Sequence, residues 1–450
     1  MRQIIILLVI ITISNLSCNI KNHQGNSTFI SYADSLFQTN VDSANIAGAS
    51  VIVVQNGEKL LDKPYGYANL ELEVPMPENA SFEIGSITKQ FTAAAILKLV
   101  EEGMLSLDDD FTKYIEYYTK GRLVTINKLL NHTSGLPEYV GLPELDKIIY
   151  KSYKRDTLLR LMEQHNFLFE PGEALIYNSW GYFILGLIIE EISGLSYEDY
   201  LKEQFFIPLG MHNTYYSSTS KVIHNKAYGY DFSEEGLIQK AYVNYTWPYS
   251  AGSLSSTADD LLIWMKALHG GMVFDEKYYE LLTNSDTLNN GVHLRYAMGL
   301  ENYMFFGHQE IGHGGGIPGF KTAIRYFPDD DIFMICLINT YGPLSPYFFS
   351  NELLWKLIDK KEAETVEIDI DLDSLSGIYT GQTYEGVISI EVKALNKSLT
   401  ISTIGQNRVD TIKNYLGDGS WSHGYSLITI KNDVFTRVGI NQYYRLEKEK

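Results

Sequence analysis

Two cysteines in 450 residues are too few for a disulfide framework, so the chain must be held by the size of its core. Cys336 lies inside the apolar run Ile332-Phe333-Met334-Ile335-Cys336-Leu337-Ile338 and is expected as a buried thiol. Ten histidines are scattered without an H-E-x-x-H pattern or any other metal-ligand spacing. That disfavours a zinc hydrolase, and no metal or cofactor is expected. Positive charge is scarce: 36 Lys and Arg face 55 Asp and Glu, giving a net charge of −19. Such a balance argues against nucleic-acid binding and against electrostatic docking on an anionic membrane. Long apolar runs are missing too. The N-terminal one, Ile4 to Ile13, broken only by Thr12, is too short to span a bilayer comfortably. No internal repeat is visible.

What remains is an ordinary globular composition, 45% apolar and 20% charged, long enough for two or three domains. Arg2 followed by the Ile4–Ile13 run reads as an export signal over residues 1–18. It ends in Asn15-Leu16-Ser17-Cys18, which is similar to a bacterial lipoprotein cleavage site although Asn15 stands where an aliphatic residue is usual. Cys18 is therefore expected to carry lipid, with residues 19–29 as a tether and the cell envelope as the location. A simple secretory signal is the alternative. Membrane contact is expected only through that anchor.

The chain is organised around Gly85-Ser86-Ile87-Thr88-Lys89 and the apolar segment Gln90 to Val100. Apolar on nearly all sides, this segment predicts a buried helix. At helical pitch Ser86 and Lys89 share a face, with β-carbons roughly 5–6 Å apart. Desolvation would lower the amine's pKa and free it as a base. The competing reading makes Ser86 a helix cap. A second S-x-x-K, Ser218-Thr219-Ser220-Lys221, sits in a polar run and reads as loop.

Gly48 to Gln55, the turn Asn56-Gly57 and Glu58 to Tyr65 predict a hairpin closed by Pro64 and Gly66. A short helix is expected to end at His132, read as structural. Another is expected over Phe183–Ile192, and a third over Leu261–His269 capped by Thr257 or Ser256. Residues 221–250 read as loops. Gly314, Gly316 and Gly319 form a G-x-G-x-x-G, but Pro318 and a strand follow, which rejects a dinucleotide loop. Phe320–Phe327 and Ile332–Asn339 predict a second hairpin. After a charged linker at 359–365, residues 366–450 carry short alternating runs typical of a small all-β domain, a sandwich or barrel.

Taken in order, several pieces resemble the serine β-lactamase and penicillin-binding protein superfamily, class C-like enzymes with D,D-carboxypeptidase, D-aminopeptidase and esterase relatives. Ser86-Ile87-Thr88-Lys89 matches S-x-x-K. Leu129-Leu130-Asn131-His132-Thr133-Ser134-Gly135-Leu136-Pro137 matches a family signature. Tyr177-Asn178-Ser179 falls where Y-x-N belongs, and His313-Gly314-Gly315 where K-T-G or H-x-G stands. The resemblance implies an α/β fold over residues 30–358: an antiparallel sheet flanked by helices, with a helical subdomain. It implies Ser86 as nucleophile, and Lys89 with Tyr177, through a lowered phenol pKa, as the proton-handling pair. The backbone N–H groups of Ser86 and Gly316 would form the oxyanion hole. Ser179, Gly314 and Gly315 would contact substrate, His313 would hydrogen-bond across the cleft to Tyr177 or to substrate, and the glycines would clear the carbonyl's approach.

Two residues depart from the pattern. Ser179 replaces the Asn of Y-x-N, and His313 replaces a permanently cationic Lys. The expected function is thus a serine hydrolase acting through an acyl-enzyme on an ester or amide, a small molecule or D-amino-acid peptide, with weak or no activity on antibiotics. A true β-lactamase and a non-catalytic penicillin-binding sensor are the alternatives. Oligomeric state is not legible.

Overall fold

The computed structural model describes residues 27–140, 142, 150–361, 365–383, 386–406, 408–417, 419–423 and 426–449. The signal, Cys18 and most of the expected tether lie outside the described residues. Residues 27–29 do not belong to a tether: they open a helix over 27–42 whose Phe29, Ala33 and Phe37 are buried.

The larger, N-terminal domain is built on seven strands: β1 (Gly48–Gln55), β2 (Glu58–Asn69), β3 (Val74–Pro75), β4 (Glu301–Phe305), β5 (His308–Ile317), β6 (Phe320–Phe327) and β7 (Ile332–Ile338). Their order is β3-β2-β1-β7-β6-β5-β4, antiparallel throughout. Asn56 and Gly57 take positive φ (50° and 77°), the geometry a two-residue hairpin needs. The return strand β2 continues past Pro64 to Asn69. Proline is tolerated because only residues 67–69 pair with β3, so at Pro64 the outer edge demands no N–H.

Period-2 alternation sends the central strands' side chains into two cores. Ile52, Val54, Ile335 and Leu337 join one; Val51, Val53, Met334, Cys336 and Ile338 join the other. Helix Ala258–His269 packs on β1 and β7 from one face, and helix Pro346–Leu354 on β6 and β7 from the other. Thr257 caps the first of these by accepting the N–H of Asp260. The helix expected from Phe183 starts four residues earlier, at Ser179, because Asn178 caps it through Gly181 N–H. Residues 221–250 are not all loop: Tyr230–Ser233 and Gly236–Gln239 pair as a small hairpin.

The C-terminal domain is one antiparallel sheet of nine strands. Its two edge strands, Val409–Ile412 and Asn414–Gly417, are separated in sequence by Lys413 alone. The sheet must therefore curl until its edges nearly meet, which makes it a nearly closed barrel around Tyr379, Trp421, Phe435 and Leu446.

No helix among the described residues is long and apolar enough to cross a membrane. Beneath strand β5, Arg325 and Glu310 form a fully buried bidentate pair at 2.6–2.7 Å. Removing one partner strands the other's charge. Arg325→Met is expected to cost about 3–5 kcal/mol, and the double change Arg325→Met with Glu310→Leu clearly less. Urea unfolding of both variants measures the difference.

Candidate active site

From Ser81 to Leu97 every residue is buried except Ser86. Ser86 sits in a tight turn, Gly85–Ile87, that feeds helix Thr88–Glu101. No side chain caps either start, so Ser86 is not a helix cap. Its Oγ lies instead 3.1 Å from Nζ of Lys89. The amine also donates to the carbonyl of Ala251 at 2.9 Å and lies 4.7 Å from the centre of the Tyr177 ring. These partners are neutral. Burial therefore drives the Lys89 pKa well below that of a free amine, only partly opposed by the charge of Glu138.

Glu138 follows directly on the Leu136-Pro137 of the sequence signature. Its carboxylate accepts the backbone N–H of Ser179 and, at 2.8 Å, of Val140. Burial pushes its pKa upward against those donors and against Lys89. Glu138 lines the cleft, and sequence reasoning did not single it out.

The cleft encloses about 900 Å³ and brings Ser86, Tyr177, Ser179 and Gly316 to one wall system. Tyr177 is held from both sides by His132. The His132 carbonyl accepts Ile176 N–H at 3.2 Å, its Nδ1 accepts Asn178 N–H at 3.1 Å, and its ring packs 4.4 Å from that of Tyr177. His132 is thus structural, as its place at a helix end suggested, but what it orders is Tyr177. The phenol's pKa is not lowered: burial among aromatic neighbours raises it well above the ordinary value, only partly opposed by the nearby Ser86 hydroxyl. Tyr177 therefore presents a neutral hydroxyl. Asn178 points away from the cleft, donating to the carbonyls of Leu136 and Pro137.

His313 is buried, with Nδ1–H donating to the carbonyl of Gly314 and Nε2 3.0 Å from the Tyr296 hydroxyl and 3.5 Å from that of Tyr177. Desolvation, and secondarily Lys89, lower its pKa to about 3. It is a neutral brace for Tyr177. Of residues 313–316, Gly316 lines the cleft, while the His313 ring meets Tyr177, one of the two contacts expected of it. The glycines serve packing. A Cβ on Gly315 would stand 2.0 Å from the carbonyl of Ile84, and one on Gly314 3.0 Å from Tyr347. On the opposite side, Gly85 (φ +52°) could carry no Cβ without meeting Gly316 N at 2.8 Å. This close approach brings the Gly316 backbone beside Ser86.

The second S-x-x-K lies in an exposed loop, as read from sequence. Among the described residues no group of three or more His, Cys, Asp or Glu could hold a metal ion. The neutrality of His313 has a measurable consequence. Unfolded, it takes a proton near pH 6.5; folded, only near pH 3. Its contribution to stability is whole above about pH 6.5 and is lost as pH falls toward 3. His313→Gln should show a smaller drop in urea midpoint between pH 7 and pH 5 than the wild type. An equal drop in both proteins would contradict the buried neutral ring.

Comparison with known proteins agrees with this geometry. A family model described as Beta-lactamase matches residues 33–357. Penicillin-binding protein 4* of Bacillus subtilis is 31% identical over 324 residues, 68% of this chain and 71% of that protein. The structure of the octameric penicillin-binding protein homologue from Pyrococcus abyssi superposes with a TM-score of 0.66 at 27% identity, over 93% of this chain and all of that one. The D-amino acid amidase from Ochrobactrum anthropi SV3, solved with D-phenylalanine, gives a TM-score of 0.64 at 24% identity, over 73% of this chain and 98% of that one. The chain belongs to the β-lactamase family and has that family's hydrolase fold.

Proposed function

We propose that this protein is a serine hydrolase that cleaves an amide or ester through an acyl-enzyme on Ser86. The observation that carries this reading is the buried, neutral-prone Lys89 amine 3.1 Å from Oγ of Ser86, the only residue from Ser81 to Leu97 that is not fully buried. In this scheme neutral Lys89 takes the proton of Ser86 Oγ as the oxygen attacks the carbonyl carbon. The proton passes to the leaving nitrogen or oxygen by way of the Tyr177 hydroxyl. The negative charge that develops on the carbonyl oxygen is met by the N–H groups of Ser86 and Gly316, donors of a kind worth roughly 3–4 kcal/mol. Water then releases the acyl group by the reverse proton path.

Charge in the cleft favours some substrates over others. Its lining residues include two carboxylates, Glu138 and Asp231, and, among the described residues, no lysine or arginine. His313, where a family Lys would stand, is neutral. A β-lactam or a D-alanyl peptide terminus brings a carboxylate that would meet no cation there. A substrate bearing an ammonium next to its carbonyl would find Glu138. Small aminoacyl amides, such as those of D-amino acids, and neutral esters are therefore favoured over antibiotics. An export signal ahead of the domain supports a cell-envelope setting, with Cys18 as the lipid attachment.

Ser86→Ala should abolish both the acyl adduct in intact-mass spectrometry and turnover of p-nitrophenyl acetate, a loss of roughly 10³-fold or more. Retained turnover in that variant would refute the nucleophile. In the wild type, kcat/KM should climb with pH along a limb whose pKa lies below that of a free lysine, because only the neutral amine is active. Lys89→Arg, which cannot lose its proton in this range, should abolish the limb. Glu138→Gln should cut the preference for D-phenylalanine amide over 3-phenylpropanamide by about tenfold, the scale of one charge-assisted contact.

A further inference from the structure

The cleft is not made by the N-terminal domain alone. Ser426, Gly439, Ile440, Asn441 and Gln442, all of the C-terminal barrel, line it together with Ser86 and Tyr177. Ser426 opens barrel strand Ser426–Lys431; Gly439 to Gln442 form the turn between strands Val434–Val438 and Tyr443–Lys448, closed by a 2.8 Å bond from Gly439 N–H to the Gln442 carbonyl. The turn is docked through backbone and core. Tyr177 N–H donates to the Asn441 carbonyl at 3.0 Å, Tyr443 N–H donates to the Leu175 carbonyl at 2.9 Å, and Ile176 pairs with Gln442 between them. Leu175–Tyr177 is thereby an extra strand on the barrel's turn. Val438 and Tyr443 share a hydrophobic cluster with Leu175, Leu294 and Tyr296, and Tyr296 is the residue that bonds His313.

We propose that the turn Gly439–Gln442 is a specificity-determining wall, which fixes how large an acyl or aminoacyl group the cleft accepts, and that the C-terminal barrel is retained to hold this wall against Tyr177. The inference rests on the serine-hydrolase reading of the same site. Two features make a fixed wall rather than a mobile lid. Its backbone is paired into the segment that carries Tyr177, and the residues that flank it, Val438 and Tyr443, are buried against Leu175 and Tyr296. Ile440 and Gln442 then project a mixed apolar and polar surface into the cleft. The wall touches substrate only through groups that extend away from the reacting carbonyl, so it changes which substrates are accepted rather than the chemistry.

The test uses the full chain with Gln442→Trp, which narrows the cleft, and Ile440→Ala, which widens it. The readout is the ratio of kcat/KM for p-nitrophenyl octanoate to that for p-nitrophenyl acetate. The ratio should fall about tenfold in Gln442→Trp and rise about threefold or more in Ile440→Ala, the scale of a few methylenes gained or lost in a pocket. A ratio within about twofold of the wild type in both folded variants overturns the wall. Binding of the uncharged N-acetyl- and N-octanoyl-D-phenylalaninamide to the Ser86→Ala chain, followed by calorimetry, separates the two readings. If Ser86-dependent turnover is absent but the two wall substitutions still shift the ratio of dissociation constants in these directions, the wall stands and the hydrolase reading falls. An unchanged ratio, or no binding of either ligand, overturns the wall.

Discussion

The desolvated amine of Lys89 is the constraint on which the rest of the site depends. A lysine with no carboxylate in contact can be kept in a protein interior only if its surroundings tolerate the neutral form. Here they do: a carbonyl, two phenol rings and a serine hydroxyl surround it. Its buried neighbours follow the same logic. Tyr177 is held neutral rather than ionised, and His313 and His132 are held as neutral imidazoles. A site assembled from neutral forms of titratable groups can pass one proton among them at little cost. No permanent ion pair has to be broken first.

Geometry is enforced by backbone contact more than by side chains. The turn before Ser86 and strand β5 touch through Gly85, Gly315, Gly316 and the Ile84 carbonyl, at separations that exclude a methyl group on Gly85 or Gly315. Thr322 Oγ1 adds a 2.9 Å bond to that same carbonyl. In the reaction proposed above, the N–H groups of Ser86 and Gly316 held this way would need no reorganisation as charge develops on a bound oxygen, which is where most of their value would lie. The buried Arg325–Glu310 pair sits on the same strands and fixes their register from the far side.

Much of this was legible in the sequence, for identifiable reasons. The hairpins, the helix after Ser86 and the closing strands follow from period and turn chemistry, which act locally. Ser86 and Lys89 are three residues apart, so helical pitch alone brings them together. Less legible was whatever depends on meeting across the fold. Pro64 looks like a strand breaker until the sheet edge beside it is known to be open. The glycines at 314 and 315 look like room for substrate until Ile84 and Tyr347 are found against them. Glu138 lies one residue past the signature, yet only tertiary structure sets it against Ser179 and Lys89. The phenol of Tyr177 illustrates the limit: sequence supplies the group, but only its burial sets the direction of its pKa.

The C-terminal barrel was the least legible part, because alternation and turns specify strands but not what a loop between them faces. The comparisons bear on the same point. The D-amino acid amidase matches over 73% of this chain, whereas the Pyrococcus abyssi homologue matches over 93%, a span that cannot be reached without the barrel. A barrel attached only as a tether or solubility module would have no reason to lend its turn to the cleft. Here Asn441 supplies the carbonyl that satisfies Tyr177 N–H, a partly buried donor that would otherwise be left unpaired beside the reacting groups. Tyr177 is therefore braced from three directions: by His132 from just beyond helix Ile126–Leu130, by His313 from the sheet and by Asn441 from the barrel. Losing the barrel would open the cleft and free that N–H at once. On this argument the two domains form one functional unit, despite having separate cores.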